Sequence, residues 1–465
     1  MANPPVISAA SRTRPPLGGR QPLAVVHVAN TCNLHCVFCL EQGDRDRRTQ
    51  PELADIRKTL AGLRANGATD VVFMGAETLL RRDAVDVLGA ARDAGFRGIL
   101  VATNGTALSR TGYLDRLVAA GLNALELSIH GATADVADRI AGTPGTFSRQ
   151  ASALAAMAKV TAPLDLTVNI VICQENAASL AGIASYVRQH VGMGRQVHFK
   201  FIFAHLLGGA WLHAREDGPH RYGNIDFIAL GDRLVADGVH FHIDNVPLCR
   251  LGAHAAHSLK LRAFAGNELF YDRELSTNTY HASGFQTEGQ IWPASPCGAC
   301  TLRPICPGVE EQYARLAGTA ELRASTLPPV DVLRQALALN DGNPLEAEVR
   351  IAALRGEPRP DRVLPRLAPD VVRLSHPALA EPLDVRVEAH APEKPSFAHT
   401  GRFAMAYRPW AKGDAAADPR VREVLRAALA ALTAADAAGD TVDEARARVA
   451  AAAAGGWTAQ ARAGA

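Results

Sequence analysis

The residues best equipped for chemistry are the cysteines. The chain carries eight, and six of them form two tight groups, Cys32-x3-Cys36-x2-Cys39 and Cys297-x2-Cys300-x5-Cys306, while Cys173 and Cys249 stand apart. Thiolate-rich sites select zinc or iron–sulfur. Clustered cysteines in a reducing compartment bind metal more often than they form disulfides. Three sulfurs on one short loop can hold three irons of a [4Fe–4S] cubane and leave the fourth iron open to an exogenous ligand. Zinc with His35 as fourth ligand is the alternative for this loop. Structural zinc sites usually pair one Cys-x2–4-Cys with a distant second pair, which the three-then-two spacing does not match. Cys249 with Cys297, Cys300 and Cys306 gives four thiolates, enough for a closed cubane or a four-thiolate zinc site, with His254 and His257 as competitors for the place of Cys249.

Such loops need rigid elements behind them. Apolar runs predict strands at Leu23–Ala29, Asp70–Met74, Gly98–Thr103, Ala124–His130, Leu164–Cys173, Val197–Ala204 and Val239–Val246. Helical spacing fills the intervals at Pro51–Asn66, Arg82–Ala94, Leu114–Ala120, Phe147–Val160, Ser179–Val191 and Ile225–Ala236. This alternation predicts βαβ units and a parallel sheet. The fold class expected is α/β, a partial (β/α)6 TIM-like barrel. The first cysteine loop follows the first strand, at the C-terminal mouth where barrels build their sites. Several strands alternate polar with apolar residues: Glu126, Ser128 and His130; Thr167, Asn169 and Cys173; His198 and Lys200; His240, His242 and Asp244. With helices covering the outside, those polar faces line a lumen suited to a polar ligand. Solvated edge strands are the plainer explanation.

Four segments are expected. Residues 1–22 read as disordered, 23–246 as the barrel, 247–322 as a loop-rich region with four cysteines, and 323–465 as a mostly α-helical C-terminal extension of unknown role. The extension has one helix near Pro344–Leu354, a strand pair at Val385–Ala389 and Arg402–Ala406, helices at Val421–Leu432 and Val442–Ala454, and a fraying tail from Gly455. Lys and Arg total 49 against 47 Asp and Glu, a net charge of +2 that excludes a bulk polyanion binder, so no nucleic-acid partner is expected. No apolar run reaches the roughly 18 residues that span a bilayer. Met1–Pro22 lacks the apolar core of a secretory signal, so a cytoplasmic protein without a membrane partner is expected.

Taken in order, these motifs resemble the radical S-adenosylmethionine (SAM) enzymes over about residues 23–245. The Cys32-x3-Cys36-x2-Cys39 loop after the first strand, with Phe38 before the last Cys, is similar to that superfamily's signature. Met74-Gly75-Ala76-Glu77 stands where the family has a Gly-Gly-Glu element near the methionine amino group; Ala76 replaces the second Gly, and Thr78-Leu79 stands where Pro-Thr is usual. Thr103-Asn104-Gly105 ends the third strand, Ser128 at the end of the fourth resembles a ribose contact, and Asn169 on the fifth is a second candidate for the ribose. The resemblance implies that Cys32, Cys36 and Cys39 bind a [4Fe–4S] cluster that reductively cleaves SAM. The resulting 5′-deoxyadenosyl radical abstracts hydrogen from a substrate. An electron donor such as flavodoxin or ferredoxin is implied as a partner.

The second cysteine group, which runs on into Pro307-Gly308, resembles the auxiliary-cluster region of SPASM/twitch radical SAM proteins. The full SPASM pattern has a further Cys where this chain has Glu310, so one auxiliary [4Fe–4S] cluster on Cys249, Cys297, Cys300 and Cys306 is implied. The substrate class stays open between a small molecule and a ribosomally made peptide. The short segment before the first strand argues against an N-terminal winged-helix leader-binding domain and so lowers the peptide reading; a cobalamin domain is not expected. Cys173, His198 and Lys200 are the candidate catalytic residues, with His130 and His205 as further substrate contacts. Cys173 by itself reads as a small buried apolar residue. A non-catalytic, zinc-stapled binding protein is the alternative from another class.

Overall fold

The computed structural model describes residues 23–39, 50–65, 67–206, 220–261, 269–271, 290–340, 371–378, 383–389, 398–400, 402–408, 418–453 and 456–461, together with residues 210, 214 and 347. The expectations for 1–22 lie outside the described residues, as do those for 344–354 apart from Ala347. The chain divides into two compact units, residues 1–364 and 365–465.

In the first unit, β1 (Leu23–Ala29), β2 (Asp70–Gly75), β3 (Gly98–Thr103), β4 (Ala124–Ser128), β5 (Asp165–Ile172), β6 (Val197–Phe203) and β7 (His240–Asp244) lie side by side in chain order, all parallel. The six intervening helices all form, and the ends of strands and helices fall within two residues of the spacing-based bounds. An eighth strand, β8 (Leu269–Tyr271), pairs with the free edge of β1, in a stretch read from sequence as loop. Three residues are too few to show a period. The sheet's outer face buries Val26, Phe73, Leu127, Phe199, Phe201 and Phe241 completely. The helices match it with i, i+3, i+4, i+7 stripes, as Leu180, Ile183, Ala184, Val187 and Val191 do on the helix Leu180–Val191. On the inner face Val25, Val72, Leu100 and Ala124 form a small apolar floor, with Met74 and Ala102 packed on it.

One helix, Ala134–Ala141, was not expected. It is short and rich in Ala and Asp, with only Ala137, Ile140 and Ala141 buried. Thr133 caps its start, and Gly142 ends it at φ 59°. The helix Pro329–Leu339 was also missed, its place having been read as Pro-studded chain. It packs Val332, Leu333, Ala336 and Leu337 inward and meets the turn Gly252–His257, so the first unit continues past residue 322 to residue 364.

The second unit carries the two expected helices, Pro419–Ala438 and Val442–Ala451, and the expected strand pair. That pair belongs to a five-stranded antiparallel sheet in the order β13 (Ala398–Thr400), β14 (Phe403–Arg408), β12 (Leu383–Ala389), β11 (Val371–Ser375), β15 (Thr458–Ala461). Val372, Leu374, Val385, Val387, Phe403 and Leu432 form its core. Within the tail expected to fray, Thr458–Ala461 instead hydrogen-bonds along β11.

Gly142 tests how the fold supports the first cysteine loop. A Cβ there would lie 2.6 Å from the carbonyl oxygen of His35. Gly142→Ala is expected to lose about 1–2 kcal/mol from the left-handed backbone alone and to retain less iron. Gly62→Ala, in the interior of the helix Leu53–Ala65 with open space around it, is expected to gain about 0.5–1 kcal/mol. Urea unfolding and iron content of both variants check this pair.

Candidate functional site

The strand ends at the C-terminal mouth are tied together by buried polar side chains. The carboxylate of Glu77, just past β2, accepts from Leu79 N at 3.0 Å, Thr103 Oγ1 at 2.7 Å and Asn104 N at 2.7 Å, joining β2 to β3. Burial pushes its pKa up against three hydrogen bonds that favour the charged form. Gln150 donates to the carbonyls of Asn104 and Ser128, each at 2.9 Å, joining β3 to β4. Asn176 donates to the carbonyls of His130 and Val171, joining β4 to β5. Asn245 donates to Phe203 O at 3.1 Å, joining β6 to β7. Arg81 holds Val28 O at 2.6 Å and Pro51 O at 3.0 Å. Sequence reasoning found Glu77 through a motif and missed the rest, since single amides and one arginine carry no spacing signal.

The first cysteine loop sits on this belt. His35 N donates to Ala141 O at 2.9 Å and Val37 N to Ile140 O at 3.0 Å, so the loop runs against the C-terminus of the unexpected helix. The Sγ of Cys32 accepts from Leu34 N at 3.4 Å and from Asn104 Nδ2 at 3.6 Å. Asn104 also binds Asn33, and both meet Thr106. Gly75, at φ 125°, lets β2 pass β1 where a Cβ would lie 2.5 Å from Ala29 O, and Ala76 N donates to that same oxygen at 3.0 Å. The ring of Phe38 meets His130 edge-on at 4.7 Å. Burial lowers the His130 pKa to about 3, so the imidazole is neutral, and its Nδ1 accepts from Val171 N.

On the inner face, Ser128, Asn169, Lys200 and His242 stand in one row across β4 to β7. Glu126 Oε1 accepts from Asn169 Nδ2 at 2.5 Å and pairs with Lys200 Nζ at 3.0 Å. The Oδ1 of Asn169 is buried without a hydrogen-bond partner. The three candidate catalytic residues are separately engaged. Lys200 pairs with Glu126, His198 Nε2 lies 2.7 Å from His242 Nδ1, and Cys173 is buried just past β5, its thiol held above its ordinary pKa chiefly by that burial and also by Glu175 and Cys36.

The second cysteine group converges although its members are far apart in sequence. Cys306 is pushed to about 12 by burial, against backbone N–H donors from Gly308 and Leu248, and the neighbouring thiols of Cys249 and Cys297 raise it further. Cys249 is likewise raised, first by burial, and it neighbours Cys300. Cys300 Sγ accepts from Ser325 N at 3.3 Å and Cys306 Sγ from Gly308 N at 3.4 Å. None of the eight cysteines forms a disulfide. The two histidines weighed against Cys249 have other partners: His254 meets Asp232 at 2.9 Å, while His257 bonds Phe241 O and stacks on the Phe241 ring. Glu310, in the short pair β9 (Gln290–Ile291) and β10 (Val309–Glu310), binds His205 Nδ1 at 3.2 Å and Leu206 N at 3.0 Å, which ties this region to the end of β6. Burial raises the Glu310 pKa most, but His205, the Leu206 amide and Asn245 together outweigh it and hold the carboxyl below its ordinary value.

His130 gives a signed pH dependence. With its folded pKa near 3 and an unfolded value near 6.5, the unfolded chain binds the extra proton between those limits. Its contribution is complete above pH 6.5 and is lost as pH falls toward 3, by up to about 1.4 kcal/mol per pH unit. Urea unfolding between pH 5 and 7 is expected to show this slope in the wild type and a shallower one in His130→Gln; equal slopes count against a buried neutral imidazole.

Parts of the chain are similar to known proteins. Residues 26–186 match the family model of the radical SAM superfamily. The chain is 33% identical over 112 residues to the 7,8-dihydro-6-hydroxymethylpterin dimethyltransferase of Methanocaldococcus jannaschii, covering 23% of this chain and 22% of that protein. It is 27% identical over 360 residues to the PqqA peptide cyclase of Xanthomonas axonopodis pv. citri, covering 71% of this chain and 91% of that protein. Among solved structures, Streptococcus suis SuiB bound to precursor peptide SuiA aligns with a TM-score of 0.40 at 15% identity, over 48% of this chain and 49% of that one. The chain thus spans about a fifth of the dimethyltransferase and half of SuiB. Among the described residues no helix is long and apolar enough to cross a membrane. Residues 26–186 thus form a domain of the radical SAM superfamily, a family that works with a [4Fe–4S] cluster and SAM.

Proposed function

We propose that this enzyme is a maturase that modifies a peptide. Cys32, Cys36 and Cys39 would hold the SAM-binding cluster, and Cys249, Cys297, Cys300 and Cys306 one auxiliary [4Fe–4S] cluster. The observation that carries the substrate class is the alignment with a PqqA peptide cyclase, which takes in 71% of this chain and 91% of that relative and so extends well beyond the radical SAM domain. The residues present fit the groups they would hold. Three thiols stand on one loop with N–H donors aimed at Cys32, and the lumen beside them holds the unpartnered Oδ1 of Asn169. Four further thiols neighbour one another: Cys249 and Cys297 oppose the ionisation of Cys306, and Cys300 that of Cys249, a conflict that bound metal removes.

When bound, the cluster and SAM supply one-electron cleavage of the sulfonium and abstraction of a substrate hydrogen atom. The protein's part is placement. Gly75 and Ala76 would present backbone to the methionine end of SAM, and Phe38 closes the loop side against neutral His130. Ser128 and Asn169 would meet the ribose. Glu77 is committed to three protein donors, so it acts as a positioning residue that holds Asn104 beside Cys32. The apolar floor below would help to keep water from the bound cosubstrate. Residues 23–246 would form the catalytic barrel and 247–322 the auxiliary region. A flavodoxin or ferredoxin would deliver the electron.

Anaerobic reconstitution is expected to give about eight iron and eight sulfide per chain. Cys36→Ala should lose about half of each and make no 5′-deoxyadenosine from SAM and a strong reductant. Cys297→Ala should lose the other half. Stoichiometric zinc in place of iron at either group overturns its assignment. Co-expression with a short peptide encoded beside the gene, read by mass spectrometry, tests the substrate class: an altered peptide mass supports a maturase, and an unaltered one with a modified small metabolite refutes it.

A further inference from the structure

A third group of metal-capable side chains lies apart from both cysteine groups. His198 on β6 and His240 and His242 on β7 bring one ligand-capable nitrogen each to within 4.8 Å of one another. The strand period of two puts His240 and His242 on the same face, and the β6–β7 register sets His198 directly opposite His240. The rings of His198 and His242 meet edge-on at 4.9 Å, and those of His198 and His240 lie 4.7 Å apart. His242 is only 2% exposed.

At 2.7 Å one of His198 Nε2 and His242 Nδ1 donates to the other, so an ion entering the group would take the place of the proton they share. A tetrahedral ion held at ~2.0–2.1 Å by nitrogen sets its ligand atoms about 3.3 Å apart. The 2.7 Å between His198 Nε2 and His242 Nδ1 and the 4.8 Å bound on the trio bracket that spacing, so ring rotation suffices to reach it. Among the described residues, the charged neighbours on this face are paired. Lys200, beside His242 in the register, pairs with Glu126 at 3.0 Å, and Asp244, the next residue on that face of β7, lies 3.5 Å from Lys260. An incoming dication therefore meets ion pairs, not a bare ammonium.

The geometry points to a binding site for a divalent transition-metal ion of the zinc class on His198, His240 and His242, inside the lumen. Imidazole donors without thiolate or carboxylate suit zinc, nickel or copper rather than magnesium or calcium. Three protein ligands leave a coordination position open toward the lumen, as in catalytic three-histidine sites. A carbonyl or carboxylate oxygen of the substrate is the natural fourth ligand.

Zinc binding to the reconstituted holoenzyme, with iron and sulfide occupying the thiols, tests the site. Equilibrium dialysis followed by elemental analysis should find one zinc per chain in the wild type. The triple variant His198→Gln/His240→Gln/His242→Gln should lose it with iron and sulfide unchanged. The single variant His240→Gln, at a half-buried position on the edge strand, should bind at least about tenfold more weakly, which guards against misfolding of the triple variant. Zinc-edge X-ray absorption should report a nitrogen shell at ~2.0–2.1 Å. A sulfur shell, a wild type that retains no zinc, or unchanged affinity in His240→Gln overturns the site.

Discussion

The loop that carries Cys32, Cys36 and Cys39 has no regular structure of its own, so its sulfurs can be positioned only by what the loop is tied to. The ties are backbone bonds. A helix leaves its last carbonyls without intrahelical partners, and the helix Ala134–Ala141 gives two of them, Ile140 O and Ala141 O, to the amides of Val37 and His35. One exchange satisfies the helix end and fixes the loop. It also explains the demand for Gly142, since any side chain there would meet the carbonyl of His35.

The same logic extends around the mouth of the barrel. Parallel strands stop at staggered points and leave main-chain groups that the sheet no longer pairs. Leaving such groups buried and unsatisfied costs about 1–3 kcal/mol each. Gln150 and Asn176 each satisfy carbonyls at the ends of two neighbouring strands, Glu77 takes the amides of Leu79 and Asn104, and Asn245, just past β7, takes Phe203 O on β6. The rim is therefore stiff where the chemistry needs geometry, and its rigidity comes from buried polar side chains rather than apolar packing.

The lumen divides by height. Its floor is apolar, and the rows above carry Glu126, Asn169, Lys200 and the histidines of β6 and β7. A purely structural barrel would continue the branched apolar layers upward. Here ion pairs and amide hydrogen bonds keep the polar rows satisfied, while Asn169 Oδ1 stays buried and available to a ligand.

Much of this was legible in the sequence because periodicity and spacing are local. Seven strands, six helices and both cysteine groups follow from residues a few positions apart, where the alternation of apolar side chains and the geometry of thiolate ligation leave direct marks. The helix Ala134–Ala141 left almost none, being eight residues long with a narrow, Ala-rich buried face. Strand β8 and the edge strand Thr458–Ala461 were illegible for a related reason, since each is defined by the edge it pairs with rather than by its own pattern. Tertiary structure alone decided which other polar residues meet: Glu77 with Asn104, Glu310 with His205, and His198 with His242. Those partners are separated by tens of residues, and only the closing of the sheet and the folding back of the region after β7 bring them within bonding distance.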